Sequence, residues 1–376
     1  MTYLARLTPA FLLACGAFAQ TLAVSPSYIH FERVADSETL PAPQTFELTS
    51  RGASVPFSIA VTHTSYKLGD PVIVSVNPSS GMTPATITVT LLPIVLFWGY
   101  GGYYNWIFPI DSSAPNAGFA TVIVDLFITL PAPPAVTSIL NAASLQPGVS
   151  PGGIVTIFGQ NLGPPGGAVG GAVSRYGDPA HLYFPNLLGN TKVTFNGVVA
   201  PLLYVNATQI NAVVPYEAAG LSSAEVVVSH SFVAAPAYTT PIIDTSPAIF
   251  TATQTGSGQG AILNQDGLLN GPTHSAPTGS TIQIFASGAG LWDPPVSNGL
   301  QLSPIAPYPA PKASVGVTIG GQPAQVRYAG GAPGLVSGVL QVNAVIPDGL
   351  AAGSQPVVLT VGGNDNLGQK ATVTVK

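Results

Sequence analysis

The sequence has almost no cysteine and little charge. Its single cysteine, Cys15, lies near the start of 376 residues, and charged residues make up only 7% of the chain. One thiol excludes an internal disulfide, a multi-thiolate zinc site and a cysteine-ligated iron–sulfur cluster. The ten basic residues form no cluster, and nucleic-acid binding depends on clustered basic residues that release counterions. We therefore expect no cofactor and no nucleic-acid partner.

Uninterrupted helical segments are also scarce. The chain contains 42 glycines and 37 prolines, and few stretches of twelve residues lack both. Glycine and proline weaken helix interiors but suit turns and strand ends. Short β-branched runs recur between these turns, for example at 72–76, 86–90 and 357–361. This pattern is typical of β-sandwiches and predicts an all-β chain.

The N-terminal segment has the pattern of a signal peptide over residues 1–19. A positive charge precedes a short apolar run at 7–16, and the small residues of a cleavage site end at Ala19. The run is too short to span a bilayer. We expect export to the medium, the cell surface or the periplasm. Lipid attachment at Cys15, within a loose lipoprotein-like sequence, is the alternative to cleavage after Ala19.

A second apolar stretch covers residues 91–110. Prolines and a Gly-Tyr-Gly-Gly break interrupt it, so we do not expect a transmembrane helix. It carries amphipathic rings that can stack on a sugar and form hydrogen bonds. The candidate ligand-binding residues, for a glycan or a surface protein, are Trp98, Tyr100, Tyr103, Tyr104 and Trp106. In the alternative interpretation, two apolar strands close a sandwich and the rings cover its end.

The second half of the chain contains an internal repeat. The segment 209–215 (QINAVVP) recurs as 341–347 (QVNAVIP), and a matched strand precedes each copy, at 193–197 and 317–321. A third matched strand opens both copies. Three matched blocks in the same order indicate two copies of one module.

Alternation assigns the faces of the repeated strand. The even-numbered residues of 210–214 should face the core, as should their counterparts in the second copy. Gln209, Asn211 and Val213 then face outward or toward a neighbouring module. The Gln/Asn pair is a candidate ligand site, and the simpler interpretation is that it satisfies nearby backbone groups.

No catalytic or metal-binding motif is recognisable. The five histidines are isolated, no Walker loop occurs, and the fifteen acidic residues form no recognisable pair. The segment 362–366 offers oxygen ligands to calcium, but a hairpin turn is the simpler interpretation. We predict no catalytic residue, no metal and a non-catalytic binding or scaffold role. A purely structural spacer and an enzyme of unrecognised type are the alternatives.

Three motifs of the first copy occur in order along the chain. They are Phe-Gly-x-Asn-Leu-Gly (158–163), Val-x-Phe-Asn-Gly (193–197) and Thr-Gln-Ile-Asn-Ala-Val-Val-Pro (208–215). Together they resemble the IPT/TIG family of immunoglobulin-like domains. The second copy resembles a divergent version with a Gly-rich insertion at 329–338. The pair is similar to the uncharacterised C-terminal region of secreted acidobacterial proteins.

The first part of the chain carries different motifs. Val-Ser-Pro at 24–26 and Val-Ser-Val-Asn-Pro-Ser-Ser-Gly at 74–81 precede a strand at 87–89. These residues resemble a BACON domain, another immunoglobulin-like module, although the tryptophan often found before the second motif is absent. The aromatic segment 97–108 then resembles an insertion before the last strand.

These resemblances imply tandem immunoglobulin-like β-sandwiches. The expected domains are 22–130 (BACON-like), 131–245 (IPT/TIG-like) and 246–376 (divergent IPT/TIG-like). BACON-type domains are proposed to bind carbohydrate or mucin, whereas IPT/TIG modules are usually spacers or contact domains. Neither family implies catalysis.

Overall fold

The computed structural model describes residues 21–35, 37, 39–63, 73–97, 101–174, 177 and 181–376. The predicted signal peptide with Cys15, and the candidates Trp98 and Tyr100, lie outside these residues. Regular structure in the described residues is β-strand apart from three 3-10 turns, Pro93–Phe97, Tyr216–Ala218 and Leu367–Gln369. The prediction of an all-β chain of tandem sandwiches is confirmed. The chain divides into two compact units, with the division after Leu130.

The described residues of the first unit form ten strands. They are β1 (Leu22–Ser25), β2 (Tyr28–Val34), β3 (Gln44–Ser50), β4 (Pro56–Ile59), β5 (Thr62–His63), β6 (Val74–Asn77), β7 (Ser80–Met82), β8 (Ala85–Leu91), β9 (Gly102–Asp111) and β10 (Phe119–Thr129). One sheet has the order β1-β3-β8-β6 and the other β2-β10-β9-β4-β7, with β5 beside β9. β2 runs parallel to β10, and β9 is antiparallel to it. Both sheets contribute to one core.

The described residues of the apolar stretch at 91–110 are part of this sandwich. They form the end of β8, a 3-10 turn and most of β9. Trp106, Phe108 and Ile110 alternate into the core and are fully buried. Among the described residues, none of the helices has the length and apolar character needed to cross a membrane.

The second unit begins with twelve strands among the residues that the structure describes. They are β11 (Ala135–Asn141), β12 (Ile154–Gln160), β13 (Ala168–Val169), β14 (Val173–Ser174), β15 (Leu182–Tyr183), β16 (Thr191–Phe195), β17 (Val198–Val199), β18 (Leu202–Val205), β19 (Gln209–Val213), β20 (Ser223–His230), β21 (Val233–Ala234) and β22 (Tyr238–Pro241). One sheet has the order β11-β12-β19-β18-β13, and the other β17-β16-β20-β21 with β22 beside β20. A single core joins them.

Twelve further strands complete the second unit. They are β23 (Ala248–Ile249), β24 (Gly258–Gln259), β25 (Ile262–Leu263), β26 (Thr281–Ser287), β27 (Trp292–Asp293), β28 (Ala310–Pro311), β29 (Val315–Ile319), β30 (Gln322–Gly331), β31 (Leu340–Val345), β32 (Gly353–Val361), β33 (Asn364–Asp365) and β34 (Ala371–Val375). Ten of them form one continuous sheet that wraps around its own core, while β27 pairs with β28.

The two halves of the second unit repeat the same pairings. β19 lies between β12 and β18 in the first copy, as β31 lies between β26 and β30 in the second. The long β30 also pairs with β29, so it replaces both β17 and β18. A register shift precedes Tyr204 in one copy and Tyr328 in the other. The structure therefore contains the duplication that the sequence predicts, with an additional matched bulge.

The predicted faces of the repeated strand are confirmed. Ile210, Ala212 and Val214 are fully buried in their core, and the corresponding residues of the second copy are buried too. Val213 is also fully buried, because it faces the other copy. The prediction that this face turns toward a neighbouring module thus holds for Val213.

The two copies share a small apolar cluster. Ile154 and Val213 of the first copy pack there against residues of the second: Ala332, Val336 and Val339. Ser287 Oγ accepts a hydrogen bond from the backbone N–H of Ile154 at 2.8 Å. Ala332 and Val336 lie in the Gly-rich stretch 329–338, which the sequence analysis interprets as an insertion. This insertion therefore joins the copies.

Candidate functional site

The described aromatic candidates on β9 have different environments. The Tyr103 ring faces solvent and is 56% exposed, whereas Tyr104 is half-buried against the first core. Trp106 is 0% exposed. A ring in the core cannot stack on a ligand. Trp106 therefore fits the alternative interpretation, in which apolar strands of this segment close the sandwich. Of the described candidates, only Tyr103 presents an exposed ring.

Tyr103 belongs to a cluster centred on Asp125. The Asp125 side chain is buried on β10, with His30 as its register partner on β2. The hydroxyls of Tyr28 and Tyr103 both donate hydrogen bonds to Asp125 Oδ2. His30 Nδ1 lies 2.7 Å from Asp125 Oδ1. The four side chains come from three adjacent strands and share the outer face of one sheet.

Hydrogen bonding holds Asp125 in its ionised form. Burial raises the pKa of this carboxyl, but hydrogen bonds from Tyr103, Tyr28 and His30 outweigh that effect and leave the pKa below its usual value. The hydrogen bond to Asp125 is the main cause that raises the pKa of Tyr28. The Tyr28 and His30 rings stack nearly parallel, at an interplanar angle of 8° and a centroid separation of 6.5 Å. The buried carboxylate thus fixes the orientation of three surface rings.

Exposed apolar side chains extend this surface. Ile107, Ile123 and Phe127 point outward on β9 and β10 beside the cluster and are each more than a third exposed. The polar and apolar members together form what we call the tyrosine face: Tyr28, His30, Tyr103, Ile107, Ile123, Asp125 and Phe127. Aromatic rings with hydroxyl groups on a broad, exposed sheet suit a ligand that has both apolar and hydroxyl-bearing surfaces.

The tyrosine face does not have the geometry of a hydrolase. In an acyl-transfer triad the histidine orients toward a hydroxyl or thiol nucleophile, and none of the described serine, threonine or cysteine side chains hydrogen-bonds to His30. The donors to Asp125 are instead two phenols and an imidazole. In the part of the chain that the structure describes, no three His, Cys, Asp or Glu side chains lie together as a metal site.

Three members of the cluster are not found by sequence reasoning. Tyr28, His30 and Asp125 lie on strands that are far apart in the sequence, and the parallel pairing of β2 with β10 brings them together. One signal is present: Asp125 is the only charged residue in β10, whose other residues are apolar or threonine. A single acid on such a strand needs hydrogen-bond donors from its neighbours.

A family comparison assigns the first copy of the repeat. The model of the IPT/TIG domain matches residues 142–240. An IPT/TIG domain is present in this chain. The match includes strands of both sheets of the first copy, from β12 onward, and confirms that part of the resemblance, whereas the BACON-like and acidobacterial parts stay predictions.

Comparison with solved structures gives distant likenesses. A Bacteroides ovatus SGBP-B from a mixed-linkage glucan utilization locus, in complex with a mixed-linkage heptasaccharide, is 12% identical with a TM-score of 0.28. The alignment covers 92% of this chain and 65% of SGBP-B, so this chain spans less than two thirds of the length of SGBP-B. The E. coli chaperone DraB is 10% identical over 58% of this chain and 98% of its own, with a TM-score of 0.21. The Pseudomonas aeruginosa CupB2 chaperone is 10% identical over 58% and 100%, also with a TM-score of 0.21.

These values are too low to assign a ligand to this chain. No curated protein matches it in sequence.

The Gln/Asn pair of the IPT/TIG domain has a structural role. Gln209 Nε2 donates a hydrogen bond to Asn211 Oδ1 at 2.8 Å. In the second copy, Gln341 and Asn343 form the same bond at 2.9 Å. In both copies the two side chains are therefore bonded to each other, and not to backbone groups as the simpler interpretation expects. At 362–366, Val361 pairs with Asn364, so this segment begins with the hairpin turn that the sequence favours.

We predict that Asp125→Asn destabilises the first unit and reduces its sensitivity to acid. A carboxyl whose pKa is depressed by folding stabilises the protein above its unfolded pKa, near 4, and loses that contribution as the pH falls through the folded pKa. The wild type should therefore lose stability on acidification below about pH 4. Thermal unfolding from pH 7 to 2 measures the effect, with exposed Asp111→Asn as the control. Equal stability of the Asp125 variant and wild type at pH 7, with equal pH slopes, would contradict this account.

Proposed function

We propose that this chain is an exported, non-catalytic binding protein that contacts neutral glycans through the tyrosine face. The observation that carries the proposal is the arrangement of two exposed tyrosines around a buried carboxylate. The export signal, the BACON-like resemblance and the IPT/TIG domain are compatible with a cell-surface or periplasmic location.

The chemistry of the tyrosine face suits a sugar chain. A pyranose presents apolar C–H groups on its faces and hydroxyls at its edge, and a tyrosine offers a ring and a hydrogen-bonding hydroxyl. Tyrosine has few rotatable bonds, so little conformational entropy is lost on binding. Asp125 reduces that loss further, because it already orients Tyr28 and Tyr103. Ile107, Ile123 and Phe127 extend the contact for further sugar units.

Removing one ring tests the proposal. We expect Tyr103→Ala to weaken binding of a soluble neutral polysaccharide about tenfold, the loss that follows when about 1.4 kcal/mol of contact energy is removed. Affinity electrophoresis of the full chain against β-glucan, xylan and mannan gives the measurement. Tyr103→Phe keeps the ring and loses the bond to Asp125, and we expect it to fall between wild type and the alanine variant.

A matched control lies on the same sheet. Phe119 is 76% exposed at the far end of β10, opposite Asp111 and away from Asp125. We expect Phe119→Ala to retain binding, because its ring is distant from the tyrosines. Absence of binding by the wild type to all three polysaccharides would refute the glycan proposal and favour the structural-spacer alternative.

A further inference from the structure

A pocket of about 480 Å³ lies on the IPT/TIG domain, which is in the second unit and separate from the tyrosine face. This volume falls in the range of small-ligand sites, about 300–1,000 Å³. The described residues that line it are Asn186, Leu187, Asn190, Lys192, Val199, Ser229 and Phe232. The lining combines three apolar side chains with four polar ones, as a site for an amphipathic ligand requires.

The outer face of one sheet contributes the positive charge of the pocket. Lys192 on β16 and Ser229 on β20 are register partners, and both point away from the core. Val199 on β17 lies beside them on the same sheet. Among the described lining residues, Lys192 carries the only formal charge, which is positive. The charge of Lys192 is opposite in sign to the formal net charge of the chain, which is −5.

A strained turn holds an aromatic ring at the pocket. His230 pairs with Val233, so Ser231 and Phe232 form a two-residue hairpin loop. Both have positive φ, +46° and +67°, which corresponds to a turn that favours Asn-Gly. A phenylalanine there is sterically costly, and such strain persists where the surroundings impose it. The Phe232 ring is nevertheless 67% exposed, so core packing does not explain its presence.

A second turn fixes the first in place. Gly189 and Asn190 also have positive φ and connect Leu188 to Thr191 through two backbone hydrogen bonds. The backbone N–H of Ser231 donates to the carbonyl of Asn190 at 3.0 Å. Because the two turns are bonded to each other, the pocket is formed before any ligand arrives.

A buried hydrogen bond supports both turns. Thr191 Oγ1 lies 2.8 Å from His230 Nδ1, and both residues are buried. These residues flank the two turns on adjacent strands, β16 and β20. The strained position of Phe232 is thus stabilised by the structure beneath it, which reduces the ordering cost of binding.

We infer that this pocket binds a carboxylated sugar unit, such as a uronic acid of an acidic polysaccharide. The Phe232 ring would contact the C–H face of the sugar, Lys192 would pair with the carboxylate, and Asn186 and Asn190 would hydrogen-bond to hydroxyls. This site is independent of the tyrosine face, and it takes an anionic ligand where that face suits a neutral one.

Isothermal titration of the full chain with pentagalacturonate, and with cellopentaose as the neutral probe, tests the inference. We expect pentagalacturonate to bind and cellopentaose to bind at least tenfold more weakly at this site. Lys192→Gln should weaken pentagalacturonate binding at least fivefold, and the same change at exposed Lys312, outside the pocket, should not alter it. Tyr103→Ala should also leave it unchanged, which separates this inference from the proposed function.

Phe232→Gly distinguishes a ligand contact from a structural role. Glycine adopts positive φ without strain, so we expect the variant to melt at the same temperature as wild type or a few degrees higher, while pentagalacturonate binding is lost. Three results would overturn the inference: no binding by wild type, unchanged binding after Phe232→Gly or Lys192→Gln, or a melting temperature lowered by several degrees in the glycine variant.

Discussion

Trp292→Ala is expected to destabilise the second unit by about 3–5 kcal/mol, the usual cost of removing a buried tryptophan. Trp292 lies in the core of the second copy of the repeat and is 2% exposed. Its indole N–H donates a hydrogen bond to the Tyr216 hydroxyl at 2.9 Å, and that hydroxyl donates to the carbonyl of Ser337 at 3.0 Å. Tyr216 belongs to the IPT/TIG domain, so the substitution affects both copies.

The environment of Tyr216 explains why this contact matters. Burial of the hydroxyl raises the pKa of Tyr216 to about 12. Gly152 has a φ of +69°, and a Cβ there would lie 2.1 Å from the Tyr216 ring. The glycine therefore leaves room for the ring to pack against the second core. Loss of Trp292 removes a hydrogen-bond partner and opens a cavity beside it.

Hydrogen exchange measured by mass spectrometry locates the effect of Trp292→Ala. We expect faster exchange in β26 and β31 of the second copy and in β19 of the first, with unchanged exchange in the first unit. Trp292→Phe is the matched control: it retains most of the buried ring area, loses the N–H donor and should cost about 1–2 kcal/mol. Faster exchange confined to β26 and β31 would show that the two copies unfold independently and would contradict the shared core.

The duplicated core could be predicted because its signal is local. Period-2 alternation over 209–215 and 341–347 assigns Ile210, Ala212 and Val214 to the core. This alternation is sufficient to assign the two faces of a half-buried strand. The sequence predicts that Val213 faces outward or toward a neighbouring module, but it does not predict which residues Val213 contacts. The Gly-rich stretch 329–338 supplies such residues, and glycine-rich loops have no periodicity to interpret.

The tyrosine face could be predicted only in part. Tyr103 is predictable because its ring belongs to an aromatic run. In that run both alternating faces are aromatic or apolar, so the pattern does not place Trp106 in the core. Asp125 and His30 become a site only when β2 pairs with β10, across 95 residues of sequence. Such a long-range pairing follows from the packing of whole sheets, which a local pattern does not determine.

Gln369→Ala is expected to cost the second unit about 3–6 kcal/mol, since it leaves several buried backbone groups without their side-chain partner, at about 1–3 kcal/mol each. Gln369 is 4% exposed in a 3-10 turn. Its amide nitrogen donates to the carbonyl of Ala143, at 2.9 Å, and to that of Ile249. Its amide oxygen accepts hydrogen bonds from the Ile249 N–H at 2.8 Å and from Asn366 Nδ2 at 3.0 Å.

One amide thus joins the last turn of the chain to the first copy of the repeat, 226 residues away. Gln369→Met separates hydrogen bonding from packing, because methionine fills a similar volume without an amide. Urea unfolding should show both variants destabilised to a similar extent, whereas Gln355→Ala, which breaks one exposed bond to the Ala351 carbonyl, should change stability by less than about 1 kcal/mol. If methionine restored wild-type stability, packing alone would hold this junction and the buried hydrogen bonds would contribute nothing. If it did not, the junction depends on hydrogen bonds that no apolar residue can replace, and the two copies are joined by polar as well as apolar contacts.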